Sequence, residues 1–234
     1  MKNLFFPVLL WLLALVPALA QTSSEVRAVS TFHAVEVSSG IELFVTAGTP
    51  QRVEVTADTP ENRARIKTTV EDGVLRVKFD MQASDLWRNN HHNKLRVNVT
   101  AAQLTGLSAS SGSELHVKST AYATADLRLS VSSGASLKGD FAAASIQAEL
   151  SSGAEAVVSG TTQRLGVRTS SGGSFSGKNL RTSDCEAEAS SGGSVAVEVQ
   201  KTLSARASSG GSVTYGGAPQ VSKHTSSGGS VSGR

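Results

Sequence analysis

The tripeptide Ser-Ser-Gly occurs eight times in the 234 residues, with its glycines at Gly40, Gly112, Gly134, Gly153, Gly172, Gly192, Gly210 and Gly228. From Gly112 onward the copies lie 22, 19, 19, 20, 18 and 18 residues apart. A fixed period in this range restricts the chain to a solenoid, because so short a unit cannot bury its apolar face alone and must stack on its neighbours. Glycine suits a corner that needs positive φ, and the serine hydroxyls are expected to satisfy backbone groups of the turn.

The flanks decide which solenoid. One residue before the first serine stand Ala109, Val131, Leu150, Thr169, Ala189, Ala207 and Thr225. Three before it stand Leu107, Leu129, Ala148, Val167, Ala187, Ala205 and Lys223, and five before it Thr105, Leu127, Ile146, Leu165, Cys185, Leu203 and Val221. Three residues after the glycine come Leu115, Leu137, Ala156, Phe175, Val195, Val213 and Val231. Small or apolar residues thus alternate with polar ones on both sides of the corner, the period of a strand with one buried face. The fold expected is all-β: a right-handed parallel β-helix (solenoid) of ~19-residue Ser-Ser-Gly coils, closed by an irregular N-terminal β cap. Gly139, Gly160, Gly177, Gly216 and Gly233 read as a second corner, with segments such as 140–144 and 178–184 as a third side.

Residues 1–20 read as a secretory signal peptide: Lys2 supplies the positive start, an apolar run follows, and Ala18-Leu19-Ala20 is a small-residue cleavage site before Gln21. The apolar run is too short to span a bilayer comfortably, and no other run approaches that length. The expected destination is therefore the periplasm, cell surface or extracellular space, with no transmembrane segment in the mature chain. Residues 21–31 form a polar leader, and 32–234 a single β-helical domain, irregular over 32–100 and regular over 101–234. Within the irregular part, 52–56, 64–70, 74–79 and 94–99 read as strands, and Glu71-Asp72-Gly73 as a hairpin turn. Pro50 and Pro60 fall between them. Residues 80–93 are expected to be a polar loop carrying Trp87 and His91-His92.

The run Phe32-His33-Ala34-Val35-Glu36-Val37-Ser38-Ser39-Gly40-Ile41, followed by Val53-Glu54-Val55-Thr56-Ala57-Asp58, Gly73-Val74-Leu75-Arg76-Val77 and serine-glycine coils, resembles a bacterial family. That family is the "putative auto-transporter adhesin, head GIN domain" group, a domain of unknown function. The resemblance runs from about residue 30 to the C terminus and implies an exported β-helical domain associated with adhesion, with no established catalytic residues. An autotransporter would carry a C-terminal translocator barrel, which this sequence is not expected to contain, so that part of the description is not carried over.

Charge and motifs exclude more than they assign. There are 22 basic and 19 acidic residues, and the basic ones are scattered without interleaved aromatics, so no nucleic acid is expected as partner. Cys185, the single cysteine, occupies an inward column and reads as a packing thiol. His91-His92 lack metal-ligand spacing, the serine corners lack the aspartates of calcium-binding β-rolls, and no nucleophile or phosphate-loop motif occurs; no metal or cofactor is expected.

Two columns remain as a candidate binding face. Two positions before the first serine stand Glu149, Arg168, Glu188, Arg206 and His224, an alternating acid–base ladder. Two positions after the glycine stand Ser174, Ser194 and Ser212, with Ser136 and Ser230 beside them and Glu114 and Glu155 at the N-terminal end. Each has a bland reading: cross-strand pairs that fix register, and a solvated β-compatible surface. The function expected is an exported, non-enzymatic, adhesin-like or surface-binding module whose partner is an envelope or extracellular glycan or protein. The alternative is a carbohydrate-active lyase or hydrolase using Glu149 and Glu188. A structural envelope component pairing through its coil ends is the third reading.

Overall fold

The computed structural model describes residues 24–82, 94–119 and 121–234. Its elements in chain order are β1 (Ser24–Arg27), β2 (Ala34–Val37), β3 (Glu42–Thr46), β4 (Arg52–Ala57), α1 (Pro60–Arg65), β5 (Ile66–Glu71), β6 (Val74–Phe79) and β7 (Leu95–Thr100). There follow β8 (Gly106–Ala109), β9 (Glu114–Val117), β10 (Tyr122–Val131), β11 (Ser136–Leu150), β12 (Glu155–Thr169), β13 (Ser174–Ala189), β14 (Ser194–Ala207), β15 (Ser212–Gly216), β16 (Gln220–Thr225) and β17 (Ser230–Gly233).

From β8 onward every pairing between coils is parallel and joins one winding to the next. The alternate residues named above fill the interior: Leu107, Leu129, Ala148, Val167, Ala187 and Ala205 are all buried in one continuous core. Successive windings stack equivalent side chains, so Leu165, Cys185 and Leu203 are register partners. The chain is a β-solenoid.

The corner is sharper than one glycine provides. In all eight copies the second serine also has positive φ, from 47° at Ser227 to 66° at Ser39, and the glycine that follows lies between 68° and 76°. Two consecutive left-handed residues define a type I′ turn. In the coils from Ser110 to Ser226 the turn is closed by the residue after the glycine donating to the first serine's carbonyl, as from Ala154 N to Ser151 O at 3.2 Å. The glycine N–H points along the axis and donates to the second serine of the next coil, for example Gly153 N to Ser171 O at 3.0 Å. The serine hydroxyls, expected to satisfy the turn, make no hydrogen bond among the described residues; backbone groups do that work.

The expected second corner shows as a break in one coil: β15 ends at Gly216, and residues 217–219, with Gly217 at φ +87°, lead into β16. Gly139, Gly160 and Gly177 lie within β11, β12 and β13, with Gly160 at φ +108°, and Gly233 ends β17. Differences in coil length are absorbed by register shifts, between Val157 and Ser159 on β12 and between Gly177 and Arg181 on β13. A bulge admits an extra residue without breaking the ladder around it. Segments 140–144 and 178–184 are in strand, within β11 and β13.

The N-terminal part departs from simple chain order. β2 and β3 form a winding whose corner hydrogen-bonds to the next, with Gly40 N donating to Ser111 O at 3.1 Å. This winding lies between β8–β9 on one side and β6–β7 on the other, all in parallel register. The chain thus places its later strands outside its earlier ones. Antiparallel strands then close that end: β5 on β6, and β1 on β4 on β7. Residues 64–65, read as part of a strand, belong instead to α1. Thr59 caps that helix by accepting from Asn62 N, and Pro60 opens its first turn, where its missing N–H costs nothing. Trp87 and His91-His92 lie outside the described residues, as does the segment 1–20.

Candidate functional site

The outward columns flank the corner, two on each side. On the side before it, Glu149 faces Arg168, Arg168 faces Glu188, Glu188 faces Arg206 and Arg206 faces His224 in strict register. The sequence spacing therefore does place the ladder in one line. Arg168 Nε donates to Glu188 Oε2 at 2.9 Å, and Arg206 Nη1 reaches Glu188 Oε1 and Glu186 Oε1 at 3.2 Å each. Glu149 makes no ion pair among the described residues. The column also extends further than the sequence suggested: Arg76 on β6 faces Glu36 on β2 and pairs with it at 2.7 Å. The signal was present, since Glu36 stands two before Ser38, but the inverted order of the first windings hid Arg76.

Hydrogen bonding from Arg168 holds the Glu188 carboxyl below its usual range, more strongly than partial burial raises it, and Arg206 adds to the effect. The same hydrogen bond and the Glu188 charge hold Arg168 above its ordinary value. A glycosidase acid needs the reverse, a carboxyl kept protonated by apolar surroundings. Glu188 also has the Arg168 guanidinium between itself and Glu149, so the two carboxylates do not face a common bond.

Beside the ladder lies a groove of about 610 Å³. Its floor is the next outward column, where Gln147, Gly166, Glu186, Ser204 and Ser222 are register partners. Gly166 leaves a gap there that the Gln147 side chain leans across. The far rim is Arg164, Asp184, Thr202 and Gln220, again in register. Thr202 Oγ1 donates to Asp184 Oδ1 at 2.6 Å, while Arg164 has no ion pair or side-chain hydrogen bond among the described residues. Cys185 lies beneath this face, buried, with its thiol pushed up to about 12 by burial, so it is a packing group.

On the other side of the corner the serine column is in register from Ser174 through Ser194 to Ser212, and Ser194 Oγ donates to Ser174 Oγ at 3.1 Å. This strip is flat and partly satisfied by itself. Toward the N terminus the same column carries Arg96, Glu42, Glu114, Ser136 and Glu155. Ligand atoms of Glu42, Glu114 and His116 lie within 4.8 Å of one another. Arg96 donates to Glu42 at 2.7 Å, so the protein's own guanidinium already neutralises part of that cluster.

Sequence reasoning missed the column four residues after the glycine. It runs Asn98, Phe44, His116, Lys138, Val157, Ser176 in register. Phe44 and His116 stack at 5.3 Å between ring centroids, Arg96 lies 5.0 Å from the Phe44 centroid, and Lys118 Nζ lies 3.8 Å from it. Counting one more outward position along each coil would have found it.

These features can be set beside known proteins. No curated protein matches the chain. Among solved structures, a "putative adhesin" from Bacteroides fragilis NCTC 9343 superposes with a TM-score of 0.77 at 18% identity, covering 90% of this chain and 95% of its own. A "putative adhesin" from Parabacteroides distasonis ATCC 8503 gives 0.71 at 19% identity, covering 91% and 96%. Another from Parabacteroides merdae ATCC 43184 gives 0.69 at 16%, covering 91% and 95%. At such identities the likeness is one of fold. Residues 31–219 match the family described as "Putative auto-transporter adhesin, head GIN domain", and the chain belongs to that family.

Proposed function

We propose that this protein is an exported, non-enzymatic, adhesin-like module that holds a rigid hydrogen-bonding face toward a surface glycan. The observation that carries the reading is the groove at Gly166. A groove of about 610 Å³ follows the outward column at Gly166, where the Gln147 side chain leans over the glycine, and hydroxyl, amide and charged groups on fixed strands line it beside Leu165, Leu203 and Val221. A site on strands is pre-organised, so a ligand need not order a loop to bind. The ladder of Glu149, Arg168, Glu188 and Arg206 runs alongside the groove and holds register; the Ser174, Ser194 and Ser212 strip is a hydroxyl surface on the neighbouring flank. Family membership and the adhesin-like neighbours support the same reading, as does the signal-peptide pattern of residues 1–20 for export.

The test is binding of the chain lacking residues 1–20 to arrayed envelope and host-surface glycans. Gly166→Trp displaces the Gln147 side chain and puts a ring into the groove, and Arg164→Ala removes the cation of the rim. Both variants are expected to lose binding while keeping the wild-type melting temperature. A wild-type chain that captures no glycan, or variants that bind as it does, would end the proposal. Cell fractionation with surface-protease accessibility tests the export step separately.

A further inference from the structure

We propose that the chain carries a second site, for an acidic polysaccharide of the polyuronate type, on the column from His116 to Ser176. This site lies across the corner from the groove at Gly166 and does not depend on it.

The charge is the first argument. A depression of about 540 Å³ runs along this column. Three ammonium groups border it: Lys118, Lys138 and Lys178. Lys138 and Lys178 make no ion pair or side-chain hydrogen bond among the described residues, and Lys118 rests on the Phe44 ring. The one carboxylate on the border, Asp140, is already engaged by Ser159 Oγ at 2.7 Å and by Ala121 N. Along the ladder basic groups are answered by acids, as Arg168 and Arg206 are by Glu188. Here they are not.

The shape is the second. Register partners on adjacent strands stand about 4.8 Å apart, so the strip from His116 to Ser176 spans roughly 14 Å in a straight line along the axis. That suits an extended chain of sugars with a recurring carboxylate. Between the lysines, Val157 is 36% exposed, an apolar patch for the C–H face of a pyranose ring. Ser176 and Asn179 stand next to it with hydroxyl and amide groups for the ring's edge. The bulge between Val157 and Ser159 sets Gly177 and Lys178 against a single residue of β12, and Lys178 is exposed there. Bulges recur next to functional sites because the locally interrupted ladder re-aims a side chain.

The same geometry disfavours a nucleic acid as the polyanion. Base recognition uses open aromatic faces, and Phe44 is already packed against His116, Arg96 and Lys118.

Calorimetric titration of the chain lacking residues 1–20 with polygalacturonate, neutral dextran and polyglutamate, near physiological ionic strength, tests the assignment. Polygalacturonate is expected to bind and dextran not to. A Lys138→Gln/Lys178→Gln double variant should weaken polygalacturonate binding about tenfold or more, a loss of at least ~1.4 kcal/mol. Val157→Ser should weaken polygalacturonate while leaving any polyglutamate binding unchanged. All these positions are solvent-facing, and unchanged melting temperatures establish that the variants fold. No polygalacturonate binding, a double variant that binds like wild type, or polyglutamate binding as tightly as polygalacturonate would each overturn the proposal.

Discussion

At the scale of single residues, the corner separates two reasons for being glycine. An added Cβ at Gly153 would meet nothing within 4 Å, yet its φ is +71°. Its cost on substitution is therefore conformational, and Gly153→Ala should destabilise by about 1–2 kcal/mol, read from chemical denaturation midpoints. Gly173, which follows the corner glycine of the next coil, has ordinary φ, but a Cβ there would lie 2.8 Å from Leu150 O, so packing of one coil on another excludes it. The recurrence of Ser-Ser-Gly made the corner legible in the sequence. It did not reveal that the second serine shares the left-handed conformation, because serine is not a residue that usually adopts it. Thr169 offers a contrary test. Its hydroxyl is buried with no partner, in an inward column where Val131 and Leu150 occupy equivalent places. Removing a buried unsatisfied hydroxyl relieves a desolvation cost of roughly 1–3 kcal/mol. Thr169→Val should accordingly raise the denaturation midpoint, and a fall would mean that the hydroxyl is satisfied in solution.

At the scale of strands, the ladder predicts a pH dependence. Arg168 and Arg206 keep the Glu188 carboxyl below its usual range in the folded protein. A carboxyl depressed on folding stabilises the protein above its unfolded pKa, about 4.3 for glutamate, and that contribution disappears as pH falls through the folded value. Glu188→Gln should therefore be less stable than wild type near neutral pH, and the two midpoints should converge in acid. Parallel curves across the titration would mean that the pairs contribute nothing measurable, as many exposed ion pairs do not. Strand direction and inward faces were readable because the period-two pattern holds around every corner. Strand length was not. Gly139 and Gly177 look like turn signals, yet their φ values are ordinary and a Cβ would press on Phe141 or Phe175. Those glycines make room for inward rings, a packing demand that only the neighbouring residues in space disclose. The same limit hid the column of Phe44, His116 and Lys138, whose members lie 72 and 22 residues apart in sequence and touch only after stacking.

For the molecule as a whole, the two ends are unlike. At the N-terminal end the hairpin β5–β6 and the antiparallel run β1–β4–β7 cover the first winding, a topology that the long spacing between Gly40 and Gly112 signalled only as an interruption. At the other end β16 pairs only with β14 and β17 only with β15, and all six residues of β16 are exposed. Val221 and Lys223 extend inward columns that none of the described residues covers, and Lys223 follows the buried Ala205. A charge at that place on an open edge discourages another strand from adding to it. In a solenoid, stability is close to a sum of coil and neighbour terms. A winding with one neighbour has half the interface of a winding with two, so opening should begin there and move inward. Hydrogen exchange under native conditions should show amides of 220–233 exchanging fastest among the coils, with protection rising through β14 to a maximum in β12 and β13. The N-terminal cap predicts that β2 and β3, though near the other end, are protected almost as well as the centre. Uniform protection from β8 to β17 would contradict this, because it would require the coils to unfold only together.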